Sequence, residues 1–346
     1  MSATRESPLP WVPHLERCEG QSIESHQEQV KSLQIGTRRI LLHKQGKLEK
    51  NLSIVGPPGS GKTLITQLLG IFAVSQGLNV LSTSLAAEQS RMSGGVHMHV
   101  LFHIRANKTR YSHPLHAASD CIRNLSKNEL SCILLKQADI IFFEELGVVS
   151  AELYSVPDTA MKHLMNNDMK MGGKLVISNG DPFQLQAING RSMWLSTHFL
   201  FQYDVLLLEH YVRSRSDPKL QELLTLLRKI DHTEVDIDHV TSIMCENCNF
   251  VDNWNEVPSH AIRIVPKRKA AAQVTRDYLR ERAQNSNVRT VVSHSMDQCQ
   301  IGDQWVPLGN ANHVKTLDKV INEVKELTIY EGSANFPEPA LLSRST

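Results

Sequence analysis

GPPGSGKT, residues 56–63, follows the apolar run LSIV (52–55) and opens the segment KTLITQLLGIFAVSQ (62–76). The octet fits G-x-x-x-x-G-K-[ST] in the setting that this pattern needs: a strand, a glycine loop and the start of a helix. A chance glycine turn would not bring strand, loop, Lys-Thr and helix into register. Glycines let the backbone fold so that successive N–H groups face phosphate oxygens, and the helix N-terminus adds a favourable dipole. Gly56, Pro57, Pro58, Gly59, Ser60, Gly61, Lys62 and Thr63 are therefore the candidate phosphate cradle. Lys62 would reach the β- and γ-phosphates and Thr63 would ligate magnesium, so ATP and Mg2+ are the expected ligands.

Further along, NVLST (79–83), DIIFF (139–143), KLVIS (174–178) and DVLLL (204–208) read as short buried strands. Helical stretches near 128–137 and 151–171 lie between them, and LQELLTLLRKI (220–230) closes the series. The alternation predicts an α/β fold of the P-loop NTPase kind: a parallel sheet with helices on both faces. The expected organisation is an N-terminal extension (1–48), weakly helical from about 24 to 45, then a nucleotide-binding domain (49–230). A polar, irregular linker (231–260) and a partial second α/β domain with a tail (261–346) would follow. In the last part, AIRIV (261–265) reads as a strand, followed by a turn and a basic helix, and later by VRTVVS (288–293) and KELTIY (325–330).

DIIFF ends in two acids, Glu144 and Glu145. In folds of this kind, acids at the end of such a strand stand near the γ-phosphate. Glu144 would serve the magnesium, through a water because Mg2+ keeps part of its hydration shell. Glu145 would polarise the attacking water as general base. A solvated charge pair at a strand end is the plainer alternative. Glu144 stands where Asp is usual, and its extra methylene moves the carboxylate about 1.5 Å outward. On that reading Glu144→Asp leaves turnover equal or higher. After the next strand, GDPFQLQAI (180–188) puts Gln184 near the same edge, as a γ-phosphate sensor or a residue of a simple turn.

Lys and Arg number 37 against 36 Asp and Glu, so no global basic field marks a nucleic-acid binder, and any such contact must rest on local patches. No stretch reaches the roughly 18 apolar residues of a membrane span. The first residues lack the apolar core of a secretory signal, and the six cysteines are sparse, as in a reduced intracellular protein. Cys245 and Cys248 have no second pair at finger spacing and read as free thiols.

GPPGSGKT, ADIIFFEE, VISNGDPFQLQAI and LLLEHYVRSRSDPKLQELLTLLRKI resemble, in order, the motifs of superfamily-one helicases of the RecD-like, Pif type (petite integration frequency). STSLAAEQSRMSGGVHMHVLF (82–102) is similar to that family's T-x-x-A-A stretch, double glycine and histidine, as carried by Helitron transposons. The resemblance covers about residues 50–333. It implies a RecA-like, ATP-driven DNA motor of the kind used in DNA repair and recombination, acting on single-stranded or forked DNA in the nucleus, with no membrane partner. It implies that Thr83 and His99 face DNA, and that Arg213, or its neighbour Arg215, reaches the γ-phosphate as a positive charge. Lys267, Arg268 and Lys269, at the start of the second motor domain, would touch the DNA backbone.

The family's T-x-H-x-x-Q-G segment and its final arginine-bearing segment find no counterpart after residue 333 on this reading. The expectation is a motor incomplete for unaided unwinding, with a protein partner supplying the missing half. Two alternatives stay open: a nucleotide-gated DNA-binding remnant without productive turnover, and a P-loop ATPase switch that never touches DNA.

Overall fold

The computed structural model describes residues 26–47, 49–105, 114–253, 256–258, 261–285, 290–294, 298–301, 304–307 and 326–330. The chain divides into two compact units, Met1–Asn247 and Cys248–Thr346. The first unit holds six strands: β1 (Asn51–Val55), β2 (Val80–Ser84), β3 (Val96–His97), β4 (Ile140–Glu144), β5 (Leu175–Gly180) and β6 (Tyr203–Leu207). They form one parallel sheet in the order β3-β2-β4-β5-β1-β6. Its helices are α1 (Gln27–Lys44), α2 (Lys62–Ser75), α3 (Ala87–Met92), α4 (Met98–Leu101), α5 (Pro114–Leu125), α6 (Glu129–Gln137), α7 (Ala151–Met165), α8 (Thr197–Gln202), α9 (Pro218–Leu227) and α10 (Glu234–Asn247).

Side chains alternate across a strand, so a sheet covered on both faces needs apolar residues at every position. Ile140 and Phe142 of β4 join Leu52, Ile54 and Ile177 in a core closed by Leu33 and Ile40 of α1 and by Ile65 and Leu69 of α2. Ile141 and Phe143 point the other way, into a core with Cys121 and Leu125 of α5, Leu135 of α6, and Tyr154 and Met161 of α7. All six strands run in one direction, so the loops after β1, β4 and β5 gather at one edge of the sheet. In open parallel sheets that edge is where ligands bind.

Two sequence expectations need correction. Residues 27–44, expected in an N-terminal extension, form α1, which lies against α2 and supplies one of the two cores. The stretch 231–260, expected to be irregular, holds α10, whose Ile243 is buried. Its polar composition hides a capped start. The Thr233 N–H and hydroxyl donate to Asp236 Oδ2 at 3.0 and 2.8 Å, and the Asp236 N–H donates back to Thr233 Oγ1 at 3.2 Å. Such reciprocal capping satisfies N–H groups that the helix itself leaves open.

The second unit holds α11 (Arg268–Asn285), β7 (Thr290–His294), β8 (Gln298–Ile301), β9 (Gln304–Pro307) and β10 (Glu326–Tyr330). β7 pairs with β10 and β8 with β9, both antiparallel. AIRIV, expected as a strand, forms no ladder, and Ile262 and Ile264 are exposed. The reading of the chain after residue 333 lies outside the described residues. Among the described residues no helix is long and apolar enough to cross a membrane.

Candidate nucleotide site

The loop between β1 and α2 is shaped by residues that only glycine fits. Gly59 and Gly61 have φ of +76° and +92°, a region that other residues enter at a cost. A Cβ on Gly59 would also stand 2.6 Å from the Cβ of Arg213. The carbonyl of Gly59 accepts the N–H groups of Val212 and Arg213, each at 3.0 Å. Lys62 is buried at the first position of α2 and donates through Nζ to the carbonyls of Gly56 (2.8 Å) and Pro57 (2.9 Å). Thr63 follows it, half-buried. Ser60 is fully buried; its hydroxyl donates to the Pro57 carbonyl at 2.9 Å, and its own carbonyl accepts Gln29 Nε2 of α1 at 2.9 Å. Burial lowers the proton affinity of the Lys62 amine, and the nearby Asp181 and Glu145 carboxylates raise it; Arg228 and Arg213 also act on it. The loop therefore holds a buried ammonium on two of its own carbonyls, at the positive end of a helix.

Glu144 and Glu145 diverge, as adjacent residues at a strand end do. Glu144 is buried at 2% exposure. Its Oε1 accepts the Thr66 hydroxyl at 2.8 Å, its Oε2 accepts the amide of Asn179, and Gln89 donates to it as well. Burial raises its proton affinity, and these donors oppose the rise. The longer side chain therefore spans to α2 and β5 at once. The extra methylene lets the carboxylate reach Thr66, one turn beyond Thr63. Glu145 adopts the left-handed conformation, φ 55° and ψ 52°. This is strained for a side chain of its size. Its N–H donates to Asn179 Oδ1 at 3.0 Å. Asn179 thus holds both acids, one through each end of its amide. Burial raises the Glu145 proton affinity, Lys62 opposes this and Asp181 adds to it.

β5 ends at Gly180, and the next residue, Asp181, is buried at 1% exposure. The Arg228 guanidinium donates to both of its oxygens, at 2.6 and 2.9 Å. Asp181 also organises the turn after it: its Oδ1 accepts the Phe183 N–H at 3.0 Å and its carbonyl the Gln184 N–H at 3.2 Å. Gln184 stands on that turn, exposed. The indole of Trp194 covers the loops after β4 and β5 together; a Cβ on Gly147 would lie 3.1 Å from its Nε1 and one on Gly180 2.9 Å from its ring. Trp194 is 8% exposed, and its N–H has no hydrogen-bond partner among the described residues.

The cradle 56–63, Glu144, Glu145 and the backbone of Arg213 meet at one edge of the sheet. The backbone of Arg213 is seated on the loop through Gly59, and the side chains of Arg213 and Arg215 are both exposed. The expected DNA-facing residues gather less well. Thr83 is fully buried and its hydroxyl donates to the Val96 carbonyl at 2.8 Å, so it bonds to the neighbouring strand and not to a surface ligand. His99 is half-buried, with Nδ1 3.0 Å from the Ile104 carbonyl. Lys267 and Lys269 are exposed at the start of α11 in the second unit; the side chain of Arg268 lies outside the described residues. Thr66, Asn179, Asp181 and Arg228 were not singled out by motif. Asn179 and Asp181 lie in or beside the GDPFQ stretch, but nothing local in the sequence marks Thr66 or Arg228.

The sheet order, the glycine loop and the acid-ended strand define an α/β P-loop NTPase with a RecA-like core. The model of the PIF1-like helicase family matches residues 27–198. A curated relative, the ATP-dependent DNA helicase Pif1 of Psychrobacter sp. (strain PRwf-1), is 23% identical over 145 residues, 42% of this chain and 21% of the relative. Among solved structures, the Pif1 helicase of Candida albicans aligns with a TM-score of 0.65 at 14% identity, over 86% of this chain and 62% of that one. Bacteroides Pif1 bound to ssDNA aligns at 0.55 and 17% identity, over 85% and 62%. Bacteroides sp. Pif1 in complex with ADP-AlF4 aligns at 0.56 and 16% identity, over 86% and 63%. The chain therefore spans less than two thirds of each of these relatives.

Proposed function

We propose that the first unit binds and hydrolyses ATP as the nucleotide-binding half of a DNA helicase motor. The observation that carries this reading is the glycine loop itself: Lys62 is buried at the N-terminal end of α2, with its ammonium held by the Gly56 and Pro57 carbonyls and the acid-ended β4 at the same edge of the sheet. A triphosphate brings to that point the negative charge that the lysine and the helix end are arranged to receive. Lys62, released from the Gly56 and Pro57 carbonyls, would donate to phosphate oxygens. Glu145 would accept the proton of the attacking water, and Arg213 would stabilise charge building on the γ-phosphate. Gln184 would orient the water or sense the phosphate from its turn.

The residues also fit a magnesium ion by donor chemistry. The Thr63 hydroxyl and the Glu144 carboxylate are hard oxygen donors, and with three donors already on Glu144 its two oxygens together keep one lone-pair site. The ion, when bound, would neutralise charge between the β- and γ-phosphates.

Single-stranded or forked DNA is the proposed polymer. Support comes from the family match and from Bacteroides Pif1, which is known bound to ssDNA. The exposed Lys267 and Lys269 supply a local basic patch for phosphate contacts independent of sequence. The deciding experiment is ATP turnover with and without single-stranded DNA, with Lys62→Ala as control. Turnover stimulated by DNA and lost in Lys62→Ala is expected. Binding of ATP and DNA without turnover would leave only a nucleotide-gated binder, and turnover indifferent to DNA would remove the motor.

A further inference from the structure

Arg228 comes from the end of α9, 47 residues after Asp181 in the chain. Its guanidinium is three-quarters buried: the side chain is 22% exposed, and that of Asp181 is not exposed at all. The pair is bidentate, at 2.6 and 2.9 Å, and the Arg228 Cζ lies 4.7 Å from the centre of the Phe183 ring. A planar cation is thus fixed on one side by a carboxylate fork and on another by an aromatic face, a geometry that Arg fills and Lys does not. Both partners, Asp181 and Phe183, belong to the turn that carries Gln184.

A buried carboxylate needs a cation. Asp181 also holds the turn after it, accepting the Phe183 N–H at Oδ1 and the Gln184 N–H at its carbonyl. Without Arg228 the buried carboxylate would have to shift toward water, taking that turn with it. We propose that Arg228 is a positioning residue of the nucleotide site: it holds Asp181 in a closed pair, so that the turn bearing Gln184 keeps its place. This rests on the nucleotide reading given above and adds to it a residue that touches neither phosphate nor metal.

The inference predicts a rescue that depends on charge. Affinity for a fluorescent ATP analogue with Mg2+ is measured for the whole chain and for Arg228→Gln, Asp181→Asn and the double variant, with a thermal melt of each. Arg228→Gln should weaken binding on the order of tenfold, because it leaves a buried charge unpaired. The double variant, which removes both charges, should return to within about threefold of the unsubstituted chain. Arg228→Lys keeps the charge but not the fork, so it should bind more weakly than the unsubstituted chain and better than Arg228→Gln, which covers the case in which Arg228→Gln fails to fold. Equal binding by Arg228→Gln and the unsubstituted chain overturns the inference. So does a double variant as weak as Arg228→Gln, or an Arg228→Lys that folds and loses affinity tenfold. If the unsubstituted chain binds no analogue at all, the nucleotide reading falls and this one with it; loss of binding in Lys62→Ala alone leaves the first standing and isolates the second.

Discussion

The hydroxyl of Thr66 donates to Glu144 Oε1 at 2.8 Å, tying the end of β4 to the second turn of α2. An aspartate at 144 would fall short of that hydroxyl. Glu144→Asp should therefore lower stability by about 2 kcal/mol, as expected when a buried charged acceptor loses a partner. It should lower turnover rather than spare it. Urea unfolding and an ATPase assay test both. Unchanged stability would mean that the contact with Thr66 contributes nothing.

Glu145 should show opposed effects on activity and stability. Burial raises its proton affinity above the ordinary glutamate value, and Lys62 only partly offsets this. The folded state thus holds the proton to a higher pH than the unfolded chain does. Ionisation of Glu145 costs stability as pH rises through that window, whereas turnover requires the ionised form. The acid limb of the rate profile should lie above the usual glutamate range. Glu145→Gln should abolish turnover and raise the melting temperature at neutral pH by about 2 °C. A lower melting temperature in Glu145→Gln would show that its attraction to Lys62 outweighs its burial.

Gly59→Ala should weaken nucleotide binding without replacing any polar side chain. The new methyl would meet Arg213 Cβ at 2.6 Å, and φ at this position is +76°. The left-handed backbone alone costs about 1 kcal/mol or more for alanine. Segment 212–213 must lift off the loop, taking Arg213 with it. Calorimetric titration with an ATP analogue should read a loss on the order of tenfold. Unaltered affinity would separate Arg213 from the phosphate site.

The helix before the glycine loop should prove structural. Leu33 of α1 is 1% exposed in the core under β1 and β4. Leu33→Ala should cost roughly 2–5 kcal/mol, the range for a leucine removed from a packed core. A chemical denaturation curve settles it, and a shift under about 0.5 kcal/mol would mark α1 as an appendage after all.

The thiols should differ sharply in reactivity. Burial pushes the Cys121 thiol up to about 12, whereas Cys245 and Cys248 are exposed. At pH 8, iodoacetamide should alkylate Cys245 and Cys248 in the folded protein and reach Cys121 only after unfolding. Peptide mass mapping reads all three positions.

Much of this was legible in the sequence, for identifiable reasons. β1, β4 and β5 stood out because burial on both faces forces unbroken apolar runs. The loop after β1 stood out because its glycines serve the backbone and leave a fixed spacing. Arg228 and Thr66 could not be found this way: the first meets Asp181 across 47 residues, the second meets Glu144 across 78, and no local pattern records either contact. α10 was missed because its start is held by Thr233 and Asp236, polar residues that also mark irregular chain. Thr83 was misplaced because strand register, invisible to a motif, decides which side chains of β2 are covered.

Trp194 lies over the loops that follow both β4 and β5, and its indole N–H is buried without a partner among the described residues. Such a ring emits at short wavelength while dry, and its emission shifts toward the red when water reaches the N–H. Three other tryptophans share the chain, at 11, 254 and 305. With those three replaced by phenylalanine, the colour of the remaining emission becomes an optical readout of how closely the Glu145 and Asp181 loops stay packed together.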